Sequence, residues 1–389
     1  MSTASSAWKT VCRVAWGLAA AAAITLILFL AHAATVVYPR QQLSFVADPG
    51  TWRGVYHVHT LASDGLGTIG DVVRAARTSG ATWVLVADHN RTEAARARIV
   101  DGVLLVFSPE VSAPDGHVTA LGASRALTPR ERKAKDALVT IRALGGAPVA
   151  AHPLGRKRPY TRLDDPGLAG LEILSADQEF RDALASPFRL LPAALAYAVN
   201  AKYALMRLLQ RPDRTLSRWD ELLVSRRVAG FCAVDAHGRP PYDVMMDSLQ
   251  MYAGVGHPRT GDALADGAAL VDALARGRSF CGIDTLGGAG GFRFGATADA
   301  DEVTMGGDVR VDRHPVLHLD FAYASLPRGA RPVVICNGTA VELTDIPAQH
   351  GRRFEYRPTR PGACRAEVSI DDGNGRVWPW ILSNPVYVR

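Results

Sequence analysis

The residues best suited to chemistry come in short clusters along the chain. They are His57-Val58-His59, Ser63-Asp64-Gly65, Asp88-His89-Asn90, Glu110, Gly116-His117, Ala151-His152-Pro153 and Asp235-Ala236-His237. Six of the eleven histidines fall in them, and with Asp64, Glu110 and Asp235 they make nine candidate metal ligands. A lone histidine is ordinarily a hydrogen-bonded core or surface residue, but nine such groups recurring at the ends of strands are not explained that way. Imidazole mixed with carboxylate suits zinc, manganese or iron and does not choose among them. Residues two apart in a strand share a face, so His57 and His59 can grip one ion together. Adjacent ions bring the pKa of a water between them towards neutrality and offset the charge that develops when it attacks. Such chemistry needs no serine or cysteine nucleophile, and the sequence has no G-x-S-x-G.

These clusters need elements that bring them together. From Val55 onward short β-rich runs alternate with helical stretches, which is the pattern of repeated β/α units. Val55–His59, Trp83–Asp88, Val103–Phe107, His117–Gly122, Ala147–His152, Gly170–Leu174 and Val228–Asp235 read as strands. Ligands at successive strand ends would converge at one edge of such a barrel. Thr68 to Ser79 reads as a helix capped by Thr68, with Asp71 at its third position and Gly80 as the stop. Asp136 to Leu144, closed by Gly145-Gly146, reads the same way. Pro187 to Leu209 departs from the rhythm, because it reads as a helix apolar nearly all round. Such a helix needs partners on two sides: the barrel together with lipid or a lid, or its own barrel alone. After about Thr285 the helical signal stops. Val316–Ala322, Pro332–Asn337, Arg365–Ile370 and Pro385–Val388 then suggest a small antiparallel β-sandwich.

The N-terminus carries Lys9 and Arg13 before an apolar run from Val14 to Val37, long enough to span a bilayer. The charge order keeps the N-terminus in the cytoplasm and sends the remainder across. Ala31-His32-Ala33 also fits a signal-peptidase site, so anchor and cleaved signal both stand. The net charge of +6 is spread along the chain, without a basic block of the kind that serves as a nucleic-acid arm, so no nucleic-acid partner is expected. Five cysteines without a CxxC pair exclude a zinc ribbon or thioredoxin-like site, and in an exported domain Cys336 with Cys364 is the preferred pair. Arg156, Lys157 and Arg158 follow His152 closely, either as a phosphate contact or as a solvated basic loop. His257, in a Gly-His-Pro loop, is a weaker candidate for substrate contact. Glu172, within a strand, either supports a ligand or is structural.

The ordered set of motifs strongly resembles the PHP (polymerase and histidinol phosphatase) superfamily over roughly residues 53–285. That resemblance implies a distorted (β/α)7 barrel holding two or three divalent transition-metal ions. It implies a first ion held by His57, His59, Glu110 and Asp235, with Glu110 bridging to a second held by His117 and His152. Asp64, His89 and His237 would hold a third, and Glu110, Asp235 and His237 are the catalytic candidates. No expected ligand is missing, which argues against a relative that only binds. The tail Trp378-Pro379-Trp380-Ile381-Leu382-Ser383-Asn384-Pro385-Val386-Tyr387-Val388 is similar to the end of multidomain PHP hydrolases with a C-terminal β-sandwich, including the branch related to carbaryl-hydrolysing enzymes.

The expected architecture is therefore α/β. An N-terminal transmembrane or signal segment (1–40) precedes a barrel (41–285) with a helical insertion (178–215), followed by the sandwich (286–389). The expected activity is metal-dependent hydrolysis of a small phosphate ester. Ester or carbamate hydrolysis is the alternative, and a non-catalytic metal-bound membrane protein stands as a different class. The expected place is the membrane, with the catalytic domain outside the cytoplasm.

Overall fold

The computed structural model describes residues 3–35, 45, 47–133, 136–156, 158–347, 351–371 and 376–389. Helix α1 (Thr3–Thr35) contains a stretch, Trp8–Thr35, long and apolar enough to cross a membrane. It is followed by β1 (Thr51–Val58), α2 (Ile69–Ser79), β2 (Trp83–Val86), β3 (Ala97–Val100), β4 (Val103–Phe107), β5 (Glu110–Ala113) and β6 (Gly116–Leu121). Two short helices, α3 (Pro129–Arg132) and α4 (Ala137–Ala143), precede β7 (Ala147–Ala150) and β8 (Gly170–Ser175). Helices α5 (Ala176–Leu184), α6 (Pro187–Tyr197), α7 (Ala201–Leu208) and α8 (Asp213–Ser225) then lead to β9 (Ala229–Ala236).

These strands pair in the order β5-β6-β7-β8-β9-β1-β2-β4-β3, and the run from β7 to β4 is parallel throughout. A single parallel bridge between His89, just past β2, and Glu110, the first residue of β5, joins the two flanks of this arrangement. Strands β2, β4, β8 and β9 are buried at every position, as expected of parallel strands covered on both faces. Because the parallel strands all point one way, the residues following them collect at one edge. Helix α2 starts at Thr68, whose side chain accepts the Asp71 N–H while Asp71 caps back, and it stops at Gly80, which takes φ +74°.

The sequence places the seven strands to within a few residues, but the structure departs from simple β/α alternation. β5 and β6 form an antiparallel hairpin, and β3 turns back antiparallel on β4. After β9 come α9 (Tyr242–Ser248), β10 (Gln250–Gly254), α10 (Ala263–Ala275) and β11 (Ser279–Gly282). β10 runs antiparallel along the first half of β1, and β11 antiparallel along β10. The single helix expected over Pro187 to Leu209 is two helices. Its run breaks at Asn200, whose side chain accepts the Tyr203 N–H and so caps α7.

The remaining strands are β12 (Phe292–Ala298), β13 (Asp301–Thr304), β14 (Asp308–Val309), β15 (Val316–Phe321), β16 (Ala330–Cys336), β17 (Thr339–Val341), β18 (Thr344–Pro347), β19 (Arg352–Tyr356), β20 (Gly362–Asp371), β21 (Val377–Ser383) and β22 (Val386–Val388). Five of them make a separate antiparallel sheet, β13-β12-β15-β19-β18. Others extend the first sheet, since β21 pairs with β11 and continues through β20 to β16 and β17. Rings join the two sheets: Phe280 meets Phe292 at 5.0 Å and Tyr323 meets Trp380 at 5.9 Å between centroids. The buried Arg365 on β20 also reaches Asp220 of α8 at 2.7 Å, fixing this sheet to the helical layer. Cys336 bonds to Cys364 across β16 and β20, the preferred pair from the sequence. Cys232 bonds to Cys281, a second link between β9 and β11. That pairing was not legible, because β11 reaches β9 only after β10 folds back along β1.

Candidate metal centre

Glu110 is the hub of the site. It is almost fully buried, and five imidazoles surround its carboxylate. Oε1 lies 3.0 Å from His117 Nδ1 and 3.1 Å from His152 Nε2. Oε2 lies 2.9 Å from His89 Nδ1 and 3.5 Å from both His57 Nε2 and His59 Nε2. Its two oxygens thus serve different histidines, two on Oε1 and three on Oε2. Burial alone would push the Glu110 carboxyl up, but His57, His117 and His152 outweigh it and hold it well below the usual carboxylate range.

Around this hub the other ligand candidates converge. His57 Nε2 and His59 Nε2 stand 3.1 Å apart, and Asp235 Oδ1 lies 3.2 Å from the second of them. Asp64 Oδ2 lies 3.5 Å from both His89 Nε2 and His237 Nε2. All nine candidate ligands therefore meet at the carboxyl edge of the parallel strands. Three groups have ligand atoms mutually within 4.8 Å: His59, Asp64, His89 and His237; His57, His59 and Glu110; and His89, Glu110 and His117. His59 and His89 each belong to two groups, so the clusters share walls more than the motif resemblance implies.

The donor set fits divalent ions. Two nitrogens bound to one ion at about 2.1 Å stand roughly 3.0–3.4 Å apart, the separation between His57 and His59. The buried His89 Nδ1 has no hydrogen-bond partner although Glu110 Oε2 is 2.9 Å away. An ion held between the two would give that nitrogen a partner. Among the protein groups alone, His57 is driven down by burial but raised well above its ordinary value by Glu172, Glu110 and Asp235. His59 goes the other way, through burial and the neighbouring His57. Burial opposes protonation of His152 too, yet the bond to Glu110 and the nearby carboxylates carry it up to about 9.

The backbone is bent to achieve this. His57, His152 and Asp235 take φ of +70°, +31° and +50°, a region rarely adopted by side-chain-bearing residues and found where surroundings over-determine it. The pairing of β1 shifts register between Val55 and Val58 against β2 and between Tyr56 and Val58 against β9. His57 and His59 therefore meet through a bulge at His57, and not through the plain pleat that their spacing suggests.

Four residues outside the candidate ligands hold them in place. Glu172 accepts the His57 Nδ1–H at 2.5 Å with one oxygen and the His152 backbone N–H at 2.7 Å with the other. This fixes His57 with Nε2 facing the centre. Asp88 is an organiser of the 59–65 loop, accepting from Thr60 N–H, Thr60 Oγ1 and Ser63 Oγ at 2.7, 2.6 and 2.6 Å. Gly65 is required there, because a Cβ would come within 2.5 Å of the His59 carbonyl. Tyr242 donates to that same carbonyl at 2.9 Å.

The mouth of the site is a small cavity of about 70 Å³. Arg156 and Arg158 line it, and Arg158 donates to His117 Nε2 at 3.3 Å. Lys157 lies outside the described residues. Helix α5 adds Asp177, Gln178 and Arg181, with Arg181 paired to Asp177. Nothing in the sequence marks these three beyond their place directly after strand β8. His257 is elsewhere. Its Nδ1 donates to the Pro258 carbonyl and its ring packs on Trp52, at the opposite end of β1 from His57.

No family model matches this chain, and no curated protein matches it. Among solved structures, the chain is similar to a two-domain protein containing a predicted PHP-like metal-dependent phosphoesterase from Bacteroides vulgatus. The identity is 13% and the TM-score 0.37, over 87% of this chain and 98% of that one.

Proposed function

We propose that this chain is a membrane-anchored, metal-dependent phosphoesterase of the PHP type. The observation that carries the reading is the convergence of five imidazoles on the two oxygens of buried Glu110, within reach of Asp64, Asp235 and His237. We read residues 41–285 as a distorted (β/α)7 barrel and 286–389 as a β-sandwich. Two or three divalent ions, zinc, manganese or iron, would be held by His57, His59, Glu110 and Asp235, by Glu110, His117 and His152, and by Asp64, His89 and His237. Bound there, such ions supply Lewis acidity and a hydrolytic water that ionises near neutral pH.

The chain's own groups do the rest. Glu172 keeps the His57 imidazole in one tautomer, and the Asp235 carbonyl does the same for His237 by accepting its Nδ1–H at 2.9 Å. Arg156, Arg158 and Arg181 at the mouth offer guanidinium forks to the oxygens of a phosphoryl group, and this cationic rim favours phosphate over a neutral ester or carbamate. Aryl phosphate, aryl acetate and aryl carbamate assayed side by side on metal-supplemented protein test the reading. The phosphate should turn over at least about tenfold faster, a barrier difference of roughly 1.4 kcal/mol. Faster ester cleavage would move the activity to the alternative class, and no turnover of any with metal bound would mean a binding protein.

Lys9 and Arg13 before the apolar helix, together with two disulfides in the body of the chain, support a domain outside the cytoplasm. An alkaline phosphatase fused after Arg389 should be active in cells. A cytoplasm-only reporter active at the same junction would contradict the placement.

A further inference from the structure

Beside the metal centre lies a second cavity of about 720 Å³, within the range of small-molecule sites. Phe180 of α5, Leu190 and Ala194 of α6, Leu205 and Leu208 of α7, and Pro240 line it, and its surface is largely apolar. Helix α5 and the 237–238 turn contribute residues to both cavities. Asp177, Gln178 and Arg181 of α5 face the metal pocket while Phe180 faces the groove, and Gly238 in the groove directly follows the ligand His237.

The same helices meet the end of the apolar N-terminal helix. Asn200 Nδ2 donates to the Ala33 carbonyl at 3.1 Å, His32 packs edge-on against Tyr203, and Arg207 lies over Phe29. Where α1 leaves a bilayer, α6 and α7 are therefore at its surface. On α6, Phe188 is 94% exposed and Leu191 61% exposed, an arrangement suited to the interfacial layer of a membrane. A peptide in the groove would need partners for its backbone polar groups, which these walls hardly offer. A hydrocarbon chain needs none.

We propose that the groove takes the hydrocarbon chain of a membrane-resident phosphate monoester, whose phosphate enters the metal pocket beneath Arg156, Arg158 and Arg181. This rests on the phosphoesterase reading and names its substrate class. The oxygen of water bonds to phosphorus, the bond from phosphorus to the alkyl oxygen breaks, and that oxygen takes up the proton that the water gives up. The products are a long-chain alcohol, which stays in the bilayer, and inorganic phosphate.

The test uses the full chain in nonionic micelles with hexadecyl phosphate and butyl phosphate as probes. The long chain should be preferred by about a hundredfold in kcat/KM, since only a long chain can lie along the groove while its phosphate sits in the metal pocket. In Ala194→Trp, which fills the groove, that preference should fall at least about tenfold. The ratio within each protein corrects for any loss of folded enzyme. Hexadecyl phosphate carrying a chain-end diazirine should label the segment from Phe180 to Leu208. If both phosphates are cleaved with a ratio that Ala194→Trp leaves unchanged, the inference is overturned while the phosphoesterase reading stands. Labelling confined to Phe188 and Leu191 with an unchanged ratio would mean that these helices merely rest on the bilayer, and it overturns the inference equally. Cleavage of neither by metal-loaded protein overturns the phosphoesterase reading, and the inference with it.

Discussion

Glu110→Gln is expected to lose at least about two orders of magnitude in turnover, roughly 2.7 kcal/mol in barrier, while the chain still folds. Among the described residues this carboxylate is the only acidic group placed among five imidazoles, with two on one oxygen and three on the other. An amide keeps the shape but removes the charge, and one of its two arms becomes a donor aimed at imidazole nitrogens. Cations gathered there would face one another without the anion between them, so metal content should fall together with activity. His257→Ala is the matched comparison, since that ring packs on Trp52 away from the centre and its loss should change turnover little. Activity of Glu110→Gln above a tenth of the parent, at matched thermal stability, would mean that the bridging role is misassigned.

Glu172→Ala should have the next largest effect, although Glu172 is a positioning residue and no ligand. It holds the His57 ring and the His152 backbone at once, from the buried interior of β8. Removing it frees His57 to rotate and leaves a buried N–H without its acceptor. Metal affinity should weaken by about 10- to 100-fold, the usual cost of losing such a partner. The metal concentration giving half-maximal activity should rise accordingly, with activity recovering when excess metal is added. Glu172→Gln, which can still accept from one of the two donors, should fall between. A loss of stability with no change in the metal titration would show that Glu172 is only a packing element.

The two substitutions also mark what could be read in advance. Glu110 and the other eight ligand candidates were legible because imidazole and carboxylate recur at strand ends, a pattern that survives any detail of the fold. Most strands and helix α2 were legible too, since apolar alternation and the Thr68–Asp71 box are local signals. Glu172 was left between a supporting and a structural role, because its importance depends on β8 lying beside β9 and thereby reaching His57. Arg181 and Asp177 join the pocket only through the path of α5 after β8. The bulge at His57 and the hairpin of β5 and β6 are properties of pairing, which spacing along one strand does not carry. The break at Asn200 was missed for a different reason. The apolar run through Ala198 and Val199 hid a capping residue whose partner, Tyr203, lies just beyond it.

The central claim, a polynuclear metal centre built on Glu110, is tested most directly by counting ions. Protein expressed with supplemented zinc, manganese and iron, purified in detergent and freed of loose metal by gel filtration, should carry two or three transition-metal ions per chain by elemental analysis. Chelation should remove them together with activity, and the readdition of metal should restore both. Less than one ion per chain after supplementation would contradict the account.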